Sequence, residues 1–313
     1  MPELFGFALA VTGPIFMWVL LGLVLRRLGW LTDEVNQTVS TLVFRVGLPI
    51  VLFFGATQVD YSLILGARYL MAGILATLSI FTLALLYGQW RGMERGDRCV
   101  FVQASYRSNL GVIGIALAAE AYGAQGLALA ALPVAVMTIV YNLIAVPLLG
   151  YGYGRSLEPG AVLKSIFTNP LILGIGGGVV VSLSGAQLPG ELYQSGRVFS
   201  AVIIPVALLC IGASLDLRVL RKSSGLTIDA TLWRLLLGPA LGVTIAIFMG
   251  VHGAELAVIF LLLASPAAAA SYIMVAAAGG NGPLAANIVV VSTLLSSLTI
   301  TLGLAALQWF GFI

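Results

Sequence analysis

"LPIVLFFGATQVD" (48–60) and "IPVALLCIGASLD" (204–216) align without a gap, which indicates that the chain contains an internal repeat. Each stretch has a proline at its second position and an aspartate at its last. Matched prolines and aspartates recur at a separation of 156 positions; the pairs are Pro14 and Pro170, Pro49 and Pro205, and Asp60 and Asp216. We interpret the chain as two copies of one unit, residues 1–154 and 155–313.

The composition of the chain is that of a membrane protein. Of its 313 residues, 60% are hydrophobic and only 9% are charged, whereas a soluble domain carries roughly 25% charged residues. An apolar helix of about 20 residues spans the hydrocarbon layer of a bilayer. The sequence predicts an all-α, polytopic membrane protein with ten spans, numbered 1 to 10 in chain order: 5–25, 35–57, 69–90, 99–122, 127–151, 163–183, 192–215, 232–250, 256–278 and 284–306.

The basic residues between the predicted spans indicate the orientation of the chain, because cytoplasmic loops are enriched in Lys and Arg. The odd-numbered connections hold ten basic residues: Arg26, Arg27, Arg91, Arg95, Arg98, Arg155, Lys164, Arg218, Arg221 and Lys222. The even-numbered connections hold only Arg68 and Arg197. We therefore expect a multi-pass protein of the cytoplasmic (inner) membrane with both termini outside. Since each unit has five spans, the second unit is predicted to be inverted relative to the first.

Spans 4 and 9 each carry a helix-breaking stretch near the centre. Span 4 contains "SYRSNLGVIG" (105–114), in which Ser and Asn compete with the helical ladder and glycine lowers the cost of leaving it. Span 9 contains "ASPAAAASY" (264–272) at the equivalent place, with a proline that removes a helical hydrogen bond. Interrupted helices in inverted repeats mark the binding sites of transporters near the midplane. We expect spans 4 and 9 to break and cross there, presenting two half-helix N-termini to an anion; the alternative is two merely kinked helices.

Arg107 is the most informative charged residue, because it lies near the midpoint of span 4. An arginine at that depth costs at least ~2.5 kcal/mol, and the sequence places no Asp or Glu at the centre of any span. A guanidinium without a protein counter-ion suits a carboxylate ligand. Two interpretations stay open: Arg107 contacts substrate, or it snorkels or binds carbonyls freed at the break. Arg45 is also within a span, and since neither arginine has a counterpart in the repeat, the first unit is expected to supply the charge that selects an anion.

The remaining candidate residues are polar or conformationally special positions in the spans. The predicted substrate-binding set is Arg107, Ser108, Asn109, Gly111, Ser265, Pro266, Arg45 and Tyr272. The predicted ion- or proton-coupling set is Glu120, Gln103, Asn142 and Asn287. For Asn142 and Asn287 the alternative is that they join helices, and for Glu120 that it is a solvated interfacial carboxylate. The predicted helix-breaking prolines are Pro14, Pro49, Pro170 and Pro205.

Catalytic and metal-binding functions find little support in the sequence. The single histidine, His252, lies in a short loop between spans 8 and 9, and no HExxH motif, P-loop or Cys/His cluster is present. The two cysteines, Cys99 and Cys210, are interpreted as small apolar residues. We therefore expect no enzyme activity, no cofactor, no metal and no nucleic-acid partner.

Three stretches resemble the auxin efflux carrier family: "LLGLVLRRLGWLTDEVNQTVSTLVFRVGLPIVLF" (20–53), "YRSNLGVIGIAL" (106–117) and "GGNGPLAANIVVVSTLLSSLT" (279–299). The resemblance implies ten helices in two inverted five-helix repeats, with broken helices 4 and 9 crossing at the midplane. It also implies elevator-type motion of helices 3–5 and 8–10 against a scaffold of helices 1, 2, 6 and 7. Members carry organic anions such as auxin, malate or malonate, and are often homodimers.

The chain departs from that family at one position that matters for the break. Span 4 has no proline where plant members have one, so its break is expected to depend on Asn109 and Gly111. The predicted function is secondary transport of small organic anions, with H⁺ or Na⁺ as a possible coupling ion. The alternatives are a sodium-coupled organic anion symporter of the bile-acid type and, in a different class, an anion channel.

Overall fold

Helices account for the regular structure in the computed structural model, which describes residues 2–58, 68–154, 160, 163–164, 167–186, 188–218 and 224–313. The helices named below are α1 Pro2–Arg27, α2 Asp33–Thr57, α3 Arg68–Trp90, α4 Arg95–Tyr106, α5 Ile115–Tyr153, α6 Pro170–Leu183, α7 Gly190–Ser214, α8 Gly225–Phe248, α9 Gly253–Ala264, α10 Ala269–Ala277 and α11 Gly282–Trp309. No β-strand occurs within these described ranges. The all-helical class predicted from the sequence is confirmed.

Seven helical stretches in the described residues are long and apolar enough to cross a membrane. They are α1, α2, α3, the stretch Leu110–Tyr153 that contains α5, α7, α8 and α11. Two more apolar helices, α6 and α9, are shorter. The chain is therefore a multi-pass membrane protein.

Three boundaries differ from the sequence-based prediction. The turn predicted at 123–126 is a single kink at Gly123, which has φ +56° and ψ −133° inside α5. Helix α8 begins at Gly225 rather than at 232, so Arg234 lies well inside the helix rather than at its start. Pro170 does not interrupt a helix but begins one, because the first helical position needs no N–H donor and Asn169 caps it by accepting from the Leu171 N–H at 2.9 Å.

The other matched landmarks have different local structures. Pro14 and Pro205 lie inside α1 and α7, which continue through them. Pro49 follows a π turn at Val43–Gly47, in which the Leu48 N–H bonds to the Val43 carbonyl. A second π turn, Trp233–Leu237, lies in α8. The predicted landmark Asp60 and the loop cations Arg155, Arg221 and Lys222 lie outside the described residues.

Helices α1, α2, α6 and α7 pack closely through glycines. Helix α1 contacts α7, and α2 contacts α6. A methyl group added at Gly212 would lie 1.8 Å from the Val19 carbonyl oxygen, and one at Gly178 would lie 2.4 Å from the Phe53 carbonyl oxygen. Small residues allow such backbone approach between helices in a membrane, so these contacts require glycine.

Helices α3, α4, α5, α8, α9, α10 and α11 form a second set of mutual contacts. In this set α8 packs on α3, α9 and α11, while α5 packs on α3, α4 and α9. The two sets meet where α1 contacts α11 and where α2 contacts α5. The second set contains both interrupted spans.

Candidate substrate site at the junction of two broken helices

The two predicted breaks are both present and lie against each other. Helix α4 ends at Tyr106, and a π turn at Leu110–Gly114 leads into α5; α9 ends at Ala264 and α10 begins at Ala269. Residues 107–109 and 265–268 between them are joined by a short antiparallel bridge. Asn109 N–H donates to the Pro266 carbonyl at 2.8 Å, and Ala268 N–H donates to the Arg107 carbonyl at 3.0 Å. Each break thus satisfies part of the backbone of the other.

This pairing removes the helical donors of two buried carbonyls. In continuous helices the Ser105 carbonyl would accept from the N–H four residues later, that of Asn109, and the Leu263 carbonyl from that of Ala267. Asn109 instead bonds across the bridge, and the Ala267 N–H donates to Ser292 Oγ at 3.1 Å. The last carbonyls of α4 and α9 therefore need other partners.

Arg234 supplies those partners from α8. Its Nη1 donates to the Ser105 carbonyl at 2.9 Å, and its Nη2 donates to the Leu263 carbonyl. The side chain is completely buried. One guanidinium thus ties together the C-terminal ends of both half-helices.

The sequence-based reasoning missed Arg234 because the predicted start of span 8 placed it at the membrane interface. Arg234 belongs to the second unit, but its guanidinium is bonded to carbonyls, so the expectation that the first unit supplies the charge that selects an anion stays a prediction. A signal was present in "LWRLLLGP" (232–239), where an arginine lies in an apolar run ahead of a Gly-Pro pair.

Arg107 lies in the first break, where 7% of its surface is exposed. Its Nη2 donates to Asn142 Oδ1 at 3.0 Å, and its guanidinium carbon lies 5.8 Å from the centre of the Tyr141 ring. Its Nη1 is buried and has no hydrogen-bond partner among the described residues. Arg107 therefore does not snorkel to water, and the freed carbonyls of Ser105 and Leu263 are held by Arg234.

Several other predicted residues also lie at this junction. Ser108 Oγ is 2.9 Å from the Tyr141 hydroxyl, and Ser265 Oγ donates to a carbonyl of its own helix, that of Leu261. Gln103 is buried, with Nε2 3.7 Å from Met274 Sδ and no hydrogen-bond partner for Oε1 within the described chain. The structure thus places the Asn142 side chain against Arg107 and the Ser108 hydroxyl against Tyr141.

The remaining polar candidates occupy different environments. Asn287 is buried in α11. Tyr272 is 43% exposed on α10. Arg45 is exposed in the π turn of α2, a segment that packs against α6 and α7 rather than against α4 or α9. Glu120 is exposed near the kink of α5.

Asn109 and Gly111 do not contribute to the break through the side-chain hydrogen bond and the conformational freedom that the sequence suggested. The Asn109 side chain does not cap the helix that follows, and only its N–H enters the bridge. Gly111 has no positive φ; a methyl group there would lie 2.7 Å from Leu171 Cδ1 of α6. Gly111 therefore permits close approach of α6 to the first break.

A cavity of about 360 Å³ lies between α1, α2 and α7 on one side and α5 on the other. Its polar wall residues are Gln58, Glu120, Tyr193, Arg197 and Ser200. The residues of the two breaks, 107–109 and 265–268, do not line it. The cavity thus lies between the two sets of helices and carries one cation and one carboxylate.

Comparison with known proteins indicates a membrane transporter. The sequence model of the family described as "Membrane transport protein" matches residues 10–304. A protein of Methanothermobacter thermautotrophicus, described as an uncharacterized transporter, is 26% identical over 296 residues, which cover 92% of this chain and 94% of the relative. A protein of Methanocaldococcus jannaschii with the same description is 24% identical over 298 residues, covering 92% and 95%.

Proposed function

This chain belongs to the membrane transport protein family of the auxin efflux carriers, and from that premise we propose that it is a secondary carrier of small organic anions. The substrates are mono- or dicarboxylates of the malate, malonate or auxin type. The carboxylate binds Arg107 at the junction of the two broken helices.

The observation that carries this proposal is the buried, unpartnered Nη1 of Arg107. Each N-terminus of a half-helix adds roughly half a positive charge, and two half-helices start beside the break, at Leu110 and Ala269. Together with Arg107 they bring about two positive charges to one region. The ion pairs in the described residues are Arg26–Asp33, Arg91–Asp229 and Arg218–Asp216, and none of them neutralises that region. An incoming carboxylate both supplies the missing charge and accepts from Nη1.

The transport mechanism we propose is of the elevator type. The proposed carrier has ten spans in two inverted five-helix repeats, with both termini outside. The two broken helices cross each other. Helices α1, α2, α6 and α7 serve as a scaffold, through which two copies form a homodimer, and the other set moves. Support comes from the packing, since the glycine contacts of α1 with α7 and of α2 with α6 hold these helices closely together.

The cavity between the two helix sets is proposed as the route by which substrate enters. Arg197 on its wall attracts an anion, and Glu120 opposes permanent occupancy by one. Movement of α5 relative to α1, α2 and α7 would change the shape of this cavity, because both sets contribute to its wall. We propose that Glu120 has its predicted coupling role in this step, in which substrate enters and α5 moves.

The binding of labelled malate, malonate and indole acetate to purified protein tests the role of Arg107. We expect Arg107→Ala to lower anion affinity by about 100-fold, or about 2.7 kcal/mol, while the protein stays folded by its thermal unfolding. Arg45→Ala is the matched control, because that arginine is exposed on α2, and it should bind normally. Retained affinity in Arg107→Ala would overturn the substrate contact.

Counterflow in proteoliposomes, with and without Na⁺ or a pH gradient, tests transport itself. A carrier exchanges labelled for unlabelled anion at a saturable rate. Strict Na⁺ dependence would favour a sodium symporter. Single-channel currents in a planar bilayer would favour an anion channel, because channel flux per molecule far exceeds carrier turnover.

A further inference from the structure

Arg234 has no assigned role in the proposed carrier, yet it is buried among the ends of two half-helices. Its two Nη atoms donate to the Ser105 and Leu263 carbonyls, and its Nε has no hydrogen-bond partner in the described chain. It forms none of the ion pairs found in the described residues. The counter-charge of this cation therefore comes from backbone carbonyls.

We propose that Arg234 is a tethered cation that occupies what would otherwise be a binding site for a free monovalent cation, and that it thereby positions the ends of α4 and α9. This inference rests on the proposed carrier function, whose cycle would then need no Na⁺ at this junction. Arg234 is a positioning residue, because it holds the two half-helices and does not contact the proposed substrate.

The electrostatic balance of the junction supports this role. The C-terminus of an α-helix carries roughly half a negative charge, so the ends of α4 and α9 together present about one. One guanidinium cancels that charge. In transporters with discontinuous helices, half-helix C-termini and unwound carbonyls are the groups that coordinate a coupling cation. Here those carbonyls already have an arginine.

The geometry of the bridge explains why donors are needed at the ends of α4 and α9. Because Asn109 N–H is taken by the Pro266 carbonyl and Ala267 N–H by Ser292 Oγ, the Ser105 and Leu263 carbonyls have lost their helical donors. Unpaired carbonyls at membrane depth are costly. An alanine at position 234 would leave both unpaired, and a small cation could then bind between them.

The chain offers a matched control for this arginine. Arg45 and Arg234 each lie in a π turn ahead of a proline, Pro49 and Pro239. Arg45 is exposed, whereas Arg234 is completely buried. The two positions therefore share local backbone structure and differ in what the guanidinium contacts.

Thermal unfolding of the purified protein in detergent tests the proposal without any anion substrate. The wild type, Arg234→Ala, Arg234→Lys and Arg45→Ala are compared in NaCl, KCl and choline chloride of equal ionic strength, and with low-millimolar methylguanidinium. We expect Arg234→Ala to lose about 5–10 °C in choline chloride and to regain most of the loss with Na⁺ or methylguanidinium. The unfolding temperature of the wild type should be the same in all the salts, and so should that of Arg45→Ala.

A loss in Arg234→Ala that no cation restores, no loss at all, or a Na⁺-selective stabilisation of the wild type would each overturn the proposal. If Arg234→Ala does not accumulate, Arg234→Lys carries the test, because a lysine retains the charge but offers one nitrogen where the guanidinium offers two. It should lose part of the stability and gain nothing from Na⁺ or methylguanidinium, since its own charge occupies the site; stabilisation of Arg234→Lys by either cation counts against the proposal. Since no carboxylate is added and chloride is common to all the salts, these results are independent of whether the protein carries organic anions.

Discussion

The two broken spans meet in one junction but are built from different chemistry. The first break, residues 107–109, has no proline and contains a buried arginine whose Nη1 is free within the described structure. The second break, 265–268, contains Pro266 and two alanines, and its Ala267 N–H is satisfied by Ser292. The first break therefore offers a charged donor to a ligand, whereas the backbone N–H groups of Ser265, Ala267 and Ala268 in the second break all have partners.

This difference separates the two tasks of an interrupted helix. A ligand site needs groups that are buried but unsatisfied, and that condition is met by Arg107. A stable gap in a membrane needs every freed backbone group to have a partner, and Ser292, Arg234 and the bridge between Asn109 and Pro266 meet that need. The following substitutions test whether binding and stability divide between the breaks in this way.

Asn142→Asp should have the largest effect, because it places a carboxylate where Asn142 Oδ1 now lies, 3.0 Å from Arg107 Nη2. The internal carboxylate would compete with the substrate for Arg107. We expect anion affinity to fall by about 100-fold, or about 2.7 kcal/mol, measured by equilibrium binding of labelled malate or malonate.

Asn142→Ala is the control, since it removes a neutral partner and leaves Arg107 available. Its anion affinity should stay within about tenfold of the wild type. Equal anion affinity in Asn142→Asp and the wild type would mean that Arg107 is not the anion ligand. The first break would then not differ from the second in offering a binding group.

Ser292→Ala should lower stability rather than affinity. It leaves the buried N–H of Ala267 without its acceptor, which costs about 1–3 kcal/mol. Ser296→Ala is the matched control, because Ser296 is equally buried on α11 but bonds the Thr293 carbonyl of its own helix. Thermal unfolding in detergent compares the two variants, and a larger loss in Ser296→Ala would contradict the role given to Ser292.

The sequence predicts the class of the fold and the location of both breaks, but not the partners that make the breaks stable. The helical class and the interruptions follow from local signals, such as apolar runs, Pro266 and the polar residues around Asn109. Local signals do not reveal which distant side chain meets a freed carbonyl. For that reason Arg234, 129 positions from Ser105, and Ser292 were missed.

The same limit explains the candidates that the structure separates. Arg45 and Arg107 look alike in the sequence, since each is an arginine within an apolar span. The surroundings of each arginine depend on which face of its helix meets a neighbouring helix. A π turn, such as the one that contains Arg45, changes which residues lie on that face. In the structure Arg45 is exposed while Arg107 is buried.

Pro266→Ala should have a smaller effect, because the second break is held from several directions. The new N–H could pair with the carbonyl of Leu262, four residues earlier, but the Leu263 carbonyl and residues 266 and 268 remain bonded to Arg234 and to the bridge. We expect the break to persist in a cryo-electron microscopy structure, with a change in the unfolding free energy below about 1 kcal/mol. A continuous helix through residue 266 would show that proline alone makes the break.

Gly111→Ala should have the smallest effect on binding, and it tests whether the first break moves against α6. The added methyl group would lie 2.7 Å from Leu171 Cδ1, the end of a flexible side chain that can turn aside. Anion affinity should therefore stay unchanged. If the two sets of helices slide past each other, however, the methyl group obstructs that motion, and the counterflow rate should fall about threefold. Leu171→Ala in the same chain should restore the rate, because it removes the obstructing atom; lower affinity without rescue would mean that Gly111 serves binding and not movement.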